Sequence, residues 1–255
     1  MERFQKYEPH QWLRPYVKAF FISENPSAET YNVLPVPAIV LGFQYSGALT
    51  YIGETKETNL SQAGLTGFTD KFRTYRTTAG IGTVLVYFTE TGLSHFTDCP
   101  AFNLFGESVA LDNLFCKNSV ANITDSLGHA RTDLERITIV EQFLLSEIKS
   151  EKVDSMLNEA VYHIYQTKGA MRVSELRKRV NTSASVLERR FKNEIGITPK
   201  KFASIVRFNN TLEELKGDGS LTEIFYRSNY FDQAHFIKDF KSFTGLPPEE
   251  FRRLL

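Results

Sequence analysis

The chain has 255 residues, of which 42% are hydrophobic and 24% charged, an ordinary globular composition that argues against a disordered, collagenous or coiled-coil protein. The formal net charge is zero, so the chain as a whole is not a strongly basic binder of polyanions. The charge is unevenly divided, however, because residues 170–255 contain 16 basic and 11 acidic side chains, and residues 1–169 contain 14 and 19. This asymmetry indicates a polyanionic partner for the C-terminal part.

The N-terminus and the cysteines indicate a cytoplasmic protein. Residues 1–10 are polar and carry four charged side chains, so no signal peptide is predicted. The uncharged stretch 30–53 is interrupted by prolines and glycines, which favours β-structure in a soluble core over a membrane span. Cys99 and Cys116 form no CxxC motif and suit a reducing compartment as isolated thiols. We therefore expect no contact with a membrane.

The first half is predicted to be rich in short β-strands. Runs of β-branched and aromatic residues are separated by Gly, Pro, Asn and Ser, a pattern typical of a sandwich or a small barrel. The predicted strands cover residues 17–23, 31–34, 38–45, 49–53, 72–77 and 82–89.

Helical patterns follow the last of these strands. Residues 109–115 and 133–148 are predicted to be helical, and in the second segment the apolar residues recur at three- and four-residue steps. Either the β-rich half or a second subunit could cover that apolar face. The charged stretch 149–154 marks a boundary. The predicted fold class is α+β, with a barrel-like or sandwich-like domain over 1–151 and an all-helical domain over 152–255.

A repeat in the second half carries most of the information. Residues 191–202 and 240–251 align at an offset of 49, and Phe, Lys, Gly, Pro and Phe coincide at identical spacing. Five spaced identities indicate two copies of one structural unit.

Each copy is predicted to contain the end of one helix and the start of the next. Gly196 and Gly245 suit the left-handed residue that closes a helix, and Pro199 and Pro248 suit the first turn of the following helix. Thr198 is the predicted cap of that helix in the first copy.

Upstream of each match, two short helices flank a polar turn, which is the helix-turn-helix arrangement. The first pair is predicted at 173–180 and 184–195, and the second at 221–227 and 233–243. A long helix over about 199–215 is expected to join the two units.

The second helix of each pair has an apolar face and a polar face. In the first copy Leu187 and Phe191 can face the core, while Ser185 and Arg189, four residues apart, share the opposite face. In the second copy three phenylalanines can turn inward and leave Gln, Ala and Lys side chains outside. Arg can bond a guanine edge with two donors and Gln can bond an adenine edge, so the pattern is typical of helices that read the major groove.

The last hundred residues resemble the DNA-binding domain of the AraC/XylS family of bacterial transcription regulators. The matching positions of the first unit are Leu176, Ser183, Leu187, Arg189, Phe191, Lys192, Gly196, Pro199, Phe202 and Arg207. Those of the second unit are Ile224, Tyr230, Asp232, Phe236, Lys238, Phe240, Lys241, Gly245, Pro248, Phe251 and Arg252. The sequence departs from the family pattern at Arg177, Phe225, Asn229 and Lys238, and at the last of these a point charge replaces the planar fork of arginine.

The resemblance implies two reading helices in successive major-groove segments of double-stranded DNA. The implied base-contacting residues are Ser185, Arg189, Arg190, Gln233, Ala234, His235 and Lys238. The implied phosphate-contacting residues are Lys192, Lys200, Arg207 and Lys241. Base contacts would set the sequence preference, and phosphate contacts would position the protein on the duplex.

The resemblance also implies the role of the first half, which in this family senses an effector, drives dimerisation or does both. A looser similarity to an N-terminal sensor domain of some members rests on residues 13–17, 31–35 and 83–88. A small-molecule effector, a second copy in a homodimer and RNA polymerase are therefore expected partners. Five residues that nothing in the sequence places on one face could supply the polar groups of a ligand cleft, namely Gln44, Tyr45, Arg73, Tyr75 and Arg76.

Two other functional classes are open to the same sequence. The main alternative is a metal- or cysteine-dependent enzyme domain fused to a DNA-binding module, but the histidines are scattered, neither cysteine has a histidine beside it, and Ser94 lacks a GxSxG frame. No catalytic residue, metal site or cofactor is therefore predicted. In the second alternative the helices bind a protein, and a steep salt dependence of duplex binding would separate that from DNA recognition.

Overall fold

The computed structural model of the protein describes residues 3–151, 153–217, 219–228, 230 and 232–254. Ten strands make up most of the first half and form two antiparallel sheets. The strands are β1 (Arg3–Tyr7), β2 (Val17–Asn25), β3 (Thr30–Val33), β4 (Val40–Ser46), β5 (Leu49–Ile52), β6 (Glu57–Asn59), β7 (Ala63–Thr66), β8 (Arg73–Thr77), β9 (Ile81–Phe88) and β10 (Ser108–Ala110).

The larger sheet has six strands in the order β1-β2-β9-β4-β7-β10, and the smaller sheet has four in the order β3-β8-β5-β6. Over the described part of the chain, the two sheets have no strand in common. This arrangement confirms the predicted α+β class in its sandwich-like form.

The six predicted strands are confirmed, each to within a few residues at its ends. Four further strands, β1, β6, β7 and β10, are short and offer only a weak apolar alternation. The helix predicted over 109–115 is wrong, because Val109 and Ala110 lie in β10 and pair with β7. Only a single 3-10 turn, Leu111–Asn113, follows. Pairing with a sheet edge outweighs the local helical pattern there, as expected for strands, whose formation depends on context.

Two helices, α1 (Lys117–His129) and α2 (Asp133–Glu147), pack against the larger sheet. The α2 helix confirms the helix predicted over 133–148. Its Phe143 ring makes a T-shaped contact with Phe43 of β4 at a centroid distance of 5.9 Å. The apolar face of α2 is therefore covered by its own β-rich half, except at Leu134, which is exposed.

In the second half, helices are the only regular secondary structure among the described residues. Its helices are α3 (Ser155–Gln166), α4 (Val173–Arg179), α5 (Ala184–Arg190), α6 (Pro199–Leu215), α7 (Leu221–Arg227), α8 (Gln233–Thr244) and α9 (Pro248–Arg252). A π-helical turn, Phe191–Ile195, extends α5, so the four short helices and the joining helix all lie where the repeat predicts them. None of the described helices is long and apolar enough to cross a lipid bilayer.

The predicted helix ends are confirmed in both copies. Gly196 has a φ of +102° and Gly245 a φ of +78°, so both adopt a left-handed conformation that costs glycine little. The Thr198 hydroxyl accepts a hydrogen bond from the backbone N–H of Lys201 at 3.2 Å and caps α6. Pro199 occupies the first turn, where its missing N–H is not needed.

The joining helix α6 also connects the two halves. Its Phe202 packs edge-on against Phe68 at 6.1 Å, and the Lys201 ammonium lies 2.8 Å from the Asp70 carboxylate. The Asn209 amide donates to a carbonyl of the loop between β3 and β4 at 3.0 Å. One cluster of buried apolar residues therefore runs from the sheets into the helical half.

Candidate nucleic-acid interface

The orientation of α5 is determined by its buried side chains. Leu187 and Phe191 are fully buried, and the Ser183 hydroxyl caps the helix by accepting from the N–H of Val186 at 3.3 Å. Because the helix is anchored on this side, Ser185 and Arg189 are exposed on the other. A polar, outward-facing strip of this kind can enter a groove without repacking the domain.

Arg190 is exposed but already engaged. Its guanidinium lies 2.7 Å from the carboxylate of Asp154, and Asp154 is also the N-cap of α3. Within the described part of the chain, Arg190 is therefore the one of the three predicted base-contacting residues on α5 that has an ionic partner.

The α8 helix repeats this arrangement with aromatic residues. Phe236, Phe240 and Phe243 are all buried, and the Phe208 ring of α6 stacks on Phe243 at 4.5 Å. The predicted base-contacting residues on the opposite side are exposed, namely Gln233, Ala234 and Lys238. The side chain of His235, the remaining predicted contact, lies outside the described residues.

The positions that depart from the family pattern are accommodated locally. The Phe225 ring, where the family usually has alanine, lies 6.0 Å from the Phe236 ring and adds to the second core. Arg177 is half-buried on α4, and its backbone carbonyl accepts from Thr182 at 2.9 Å in the turn. Asn229 lies outside the described residues.

The predicted phosphate contacts fall into two groups. Lys192, Lys200 and Lys241 are exposed. The Arg207 side chain is only 17% exposed, its guanidinium lies 3.7 Å from Asp239, and it stacks over the Tyr230 ring at 4.4 Å. Burial raises the pKa of Tyr230 to about 12. Arg207 is thus placed inside the second unit, where it connects α6 with α8.

A cavity of about 520 Å³ lies between the two sheets. Residues of all ten described strands line it, and its volume falls within the range typical of small-molecule sites. On β4 the buried Leu41 and Phe43 face the helices, whereas Val40 and Gly42 face the cavity, because successive residues of a strand point to opposite sides. The distance between two sheets leaves no signal in a sequence, so the cavity itself was not predictable.

Alternation also sorts the five predicted polar residues of a ligand cleft. Gln44, Arg73 and Tyr75 line the cavity. Tyr45 instead donates to Glu24 at 2.6 Å, and Arg76 pairs with Glu57 at 2.8 Å on the outer face.

Residues suited to metal or thiol chemistry are not brought together within the described chain. There, no group of three or more His, Cys, Asp and Glu side chains is close enough to hold a metal ion. The imidazole of His95 is buried and bonds the backbone carbonyl of Ser150 at 2.7 Å. Cys116 is exposed at the start of α1, and hydrogen bonds from the backbone N–H groups of Ser119 and Asn118 lower the pKa of its thiol.

Comparison with known protein families divides the chain in the same way. Residues 176–254 match a family described as a helix-turn-helix domain. Residues 5–110 match a family described as a domain of unknown function. The first match covers both pairs of short helices apart from the first three residues of α4, and the second covers most of the two sheets that enclose the cavity.

Two relatives match part of the chain in sequence. The Msm operon regulatory protein of Streptococcus mutans is 26% identical over 119 residues, which are 45% of this chain and 43% of that protein. An HTH-type transcriptional regulator of Haemophilus influenzae is 25% identical over 116 residues, 45% of this chain and 38% of that protein. The chain thus matches about two-fifths of the length of these relatives.

A structure of ToxT from Vibrio cholerae has the same overall fold. It superimposes with a TM-score of 0.51 at 12% identity, over 99% of this chain and 98% of that one. The likeness shows that the order of a β-rich half and two helix-turn-helix units is shared. Together with the family match, these findings show that the C-terminus of the chain contains an AraC-type helix-turn-helix domain similar to those of proteins named as transcriptional regulators.

Proposed function

We propose that this chain binds a specific DNA sequence by inserting α5 and α8 into two successive major-groove segments. One observation carries the proposal: both second helices bury their apolar face and expose the polar face that the repeat predicts. The two units are joined by α6, whose 17 residues make a helix about 25 Å long. One turn of duplex is about 34 Å, so the spacing has the scale needed for neighbouring groove segments.

Residue roles follow from exposure and existing partners. Arg189 and Lys238 are free to donate to base edges, and Gln233 can present its amide to adenine. Lys192, Lys200 and Lys241 are the proposed phosphate contacts. Arg207 holds α8 through Asp239, so we assign it a positioning role. Arg190 contributes to base contact only when it exchanges Asp154 for DNA.

The test is selection of bound duplexes from a random pool with the full chain, followed by titration of the selected duplex at several salt concentrations. Three lysine–phosphate contacts predict a log–log slope of the binding constant against salt no shallower than about −3. A selected pool without any enriched sequence would contradict the proposal.

We further propose that a small apolar molecule in the cavity regulates this binding. The support is the cavity's volume and mostly apolar wall, and one ToxT structure of similar fold, at a TM-score of 0.50 and 12% identity over 92% of this chain and 95% of that one, holds an unsaturated fatty acid. We also propose that the chain is a cytoplasmic protein without catalytic activity, that it acts as a homodimer and that it contacts RNA polymerase. Sedimentation of the chain with and without its selected duplex tests the homodimer.

A further inference from the structure

One wall of the cavity contains a buried cation. Arg73, the first residue of β8, is only 9% exposed. Its guanidinium donates to the Ser108 hydroxyl at 2.7 Å and to the backbone carbonyl of Gly106. It also lies over the Tyr51 ring at 4.8 Å. These contacts hold the group at the junction of the two sheets and use two of its five N–H groups.

No carboxylate of the described chain lies within 4.0 Å of this guanidinium, and its acceptors are neutral. Two half-buried cations of the first half do have such a partner: the Lys18 ammonium lies 2.5 Å from Glu90, and the Arg136 guanidinium lies 3.6 Å from Asp133. A buried charge is costly unless an opposite charge compensates it. Arg73 therefore lacks the counter-charge that these other buried cations have.

The other residues of the cavity wall supply no charge that could compensate Arg73. Arg73 is the one charged side chain among the residues that line the cavity, all of which are described. The others are apolar or carry neutral hydroxyl, phenol and amide groups, and the Ser108 hydroxyl beside Arg73 also contacts Thr66 Oγ1 at 2.9 Å. A single cation matches a single negative charge, and a guanidinium fork matches the two oxygens of a carboxylate. A phosphate dianion would be left with an uncompensated charge.

We propose that the cavity binds an apolar molecule bearing one carboxylate, and that Arg73 supplies its counter-charge. This deepens the proposed ligand regulation and names its ligand class. The apolar body lies between Val40, Leu85 and Val109, which line the cavity, and the carboxylate meets the free N–H groups of Arg73.

Calorimetric titration of the full chain tests the proposal with matched compounds. Decanoate is compared with decan-1-ol and decyl phosphate, and 2-naphthoate with 2-naphthol, so that charge is varied on two apolar bodies. At least one carboxylate should bind saturably, about 10- to 100-fold more tightly than its neutral partner, as expected for a charge-assisted hydrogen bond. The phosphate should bind more weakly than decanoate.

The variant Arg73→Met should remove this preference, so that carboxylate and neutral analogue bind alike. Arg76→Met is the matched control, because it removes a cation from the outer face of the same strand and should leave the preference unchanged. Arg73→Lys keeps the charge without the fork and should retain part of the preference. If Arg73→Met does not fold, the titrations of Arg73→Lys and wild type still show whether the guanidinium causes the preference for a carboxylate. Saturable binding of neither carboxylate, or an equal affinity for acid and alcohol in the wild type, overturns the proposal.

Duplex binding distinguishes this inference from the proposed function. Without ligand, Arg73→Met should bind the selected duplex within about twofold of wild type, because Arg73 lies in the β-rich half. Carboxylate binding without any specific duplex binding would refute the DNA proposal and leave the Arg73 assignment standing. Specific duplex binding without carboxylate binding would refute the Arg73 assignment alone.

Discussion

At the scale of single residues, the exposed basic side chains Arg189 and Lys241 differ in their positions on the helices and in the shape of their charged groups. Arg189 projects from the polar face of a helix whose other face is buried. Lys241, also exposed, lies near the end of α8. A flat guanidinium can distinguish a base, whereas an ammonium on a flexible stem acts mainly as a point charge on phosphate.

The first prediction follows from this difference. Arg189→Ala should weaken binding to the preferred duplex by about 1–3 kcal/mol and relax the preference at one base position, whereas Lys241→Ala should weaken all duplexes alike and reduce the salt slope by about one. Fluorescence anisotropy with the selected duplex and single-base variants measures both. Arg131→Ala, an exposed cation in the first half, is the control. Unchanged site affinity in Arg189→Ala would contradict the base contact.

A second residue-scale prediction concerns the start of α2, where Thr132 and Glu135 form a capping box. Hydrogen bonds from the backbone N–H groups of Arg131 and Thr132 lower the pKa of the Glu135 carboxyl below its ordinary value of 4.5. The charged form is therefore favoured in the folded state, so its contribution is complete above about pH 5 and is lost as the pH falls through the lowered pKa.

The variant Glu135→Gln imitates the protonated carboxyl and tests this directly. The free energy of unfolding, measured by urea titration at several pH values, should be lower for the variant than for wild type at neutral pH. The difference should disappear in acid. A difference that does not depend on pH would assign the effect to side-chain shape instead of charge.

At the scale of secondary-structure elements, the helices of the second half could be predicted from the repeat, because the residues that begin and end each helix lie within or next to it in the sequence. Glycine after the last helical turn, proline in the next first turn and apolar residues at helical spacing predicted α7 with both of its ends and α6 over its full length. The first half was less predictable. The β6 strand consists of Glu57, Thr58 and Asn59 and exists only because it pairs with β5. The α1 helix buries only Val120, Ile123 and Leu127, too few apolar residues for a clear period.

The positions of the reading helices α5 and α8 could be predicted from the spacing of residues in the sequence. The partners of their side chains could not. The ion pair of Arg190 with Asp154 and the internal position of Arg207 depend on how helices far apart in the chain meet. The cavity depends on the separation of two sheets. Only the alternation along β4 and β8 was visible in the sequence, and it could have placed Gln44 apart from Tyr45, and Tyr75 apart from Arg76.

The element-scale prediction concerns the end of the first reading helix. A Cβ at Gly196 would lie 2.8 Å from the carbonyl oxygen of Ala101, and the φ of +102° is unfavourable for alanine. Gly196→Ala should therefore lower the free energy of unfolding by at least about 1–2 kcal/mol, the cost of the left-handed conformation alone. Gly128→Ala, in an open position on α1, is the control and should not destabilise. Equal stability of both variants in urea would contradict the strained position.

At the scale of the whole molecule, the two halves share one apolar core. Phe202 is fully buried and contacts the rings of Phe68, Tyr165 and Phe191. The Tyr165 hydroxyl also bonds Glu90 of the first half, which lies 2.5 Å from the Lys18 ammonium. The proposed ligand would act on the reading helices through this shared core by favouring one of two states that differ in ligand affinity.

The shared core predicts cooperative unfolding. Phe202→Ala should lower the free energy of unfolding by about 3–5 kcal/mol, and calorimetry should show a single transition for wild type. Tyr162→Ala, which removes a ring that is 58% exposed on α3, should change stability little. Two well-separated transitions in the wild type would contradict a common core.

The proposed DNA recognition requires that α5 and α8 bind the same duplex together. Methylation interference at guanine N7, which lies in the major groove, tests it most directly on the selected duplex. If both helices bind the same duplex, two clusters of interfering guanines should lie about one helical turn, or roughly 10 base pairs, apart, one lost in Arg189→Ala and the other in Lys238→Ala. A single cluster, or two clusters that both respond to the same substitution, would contradict it.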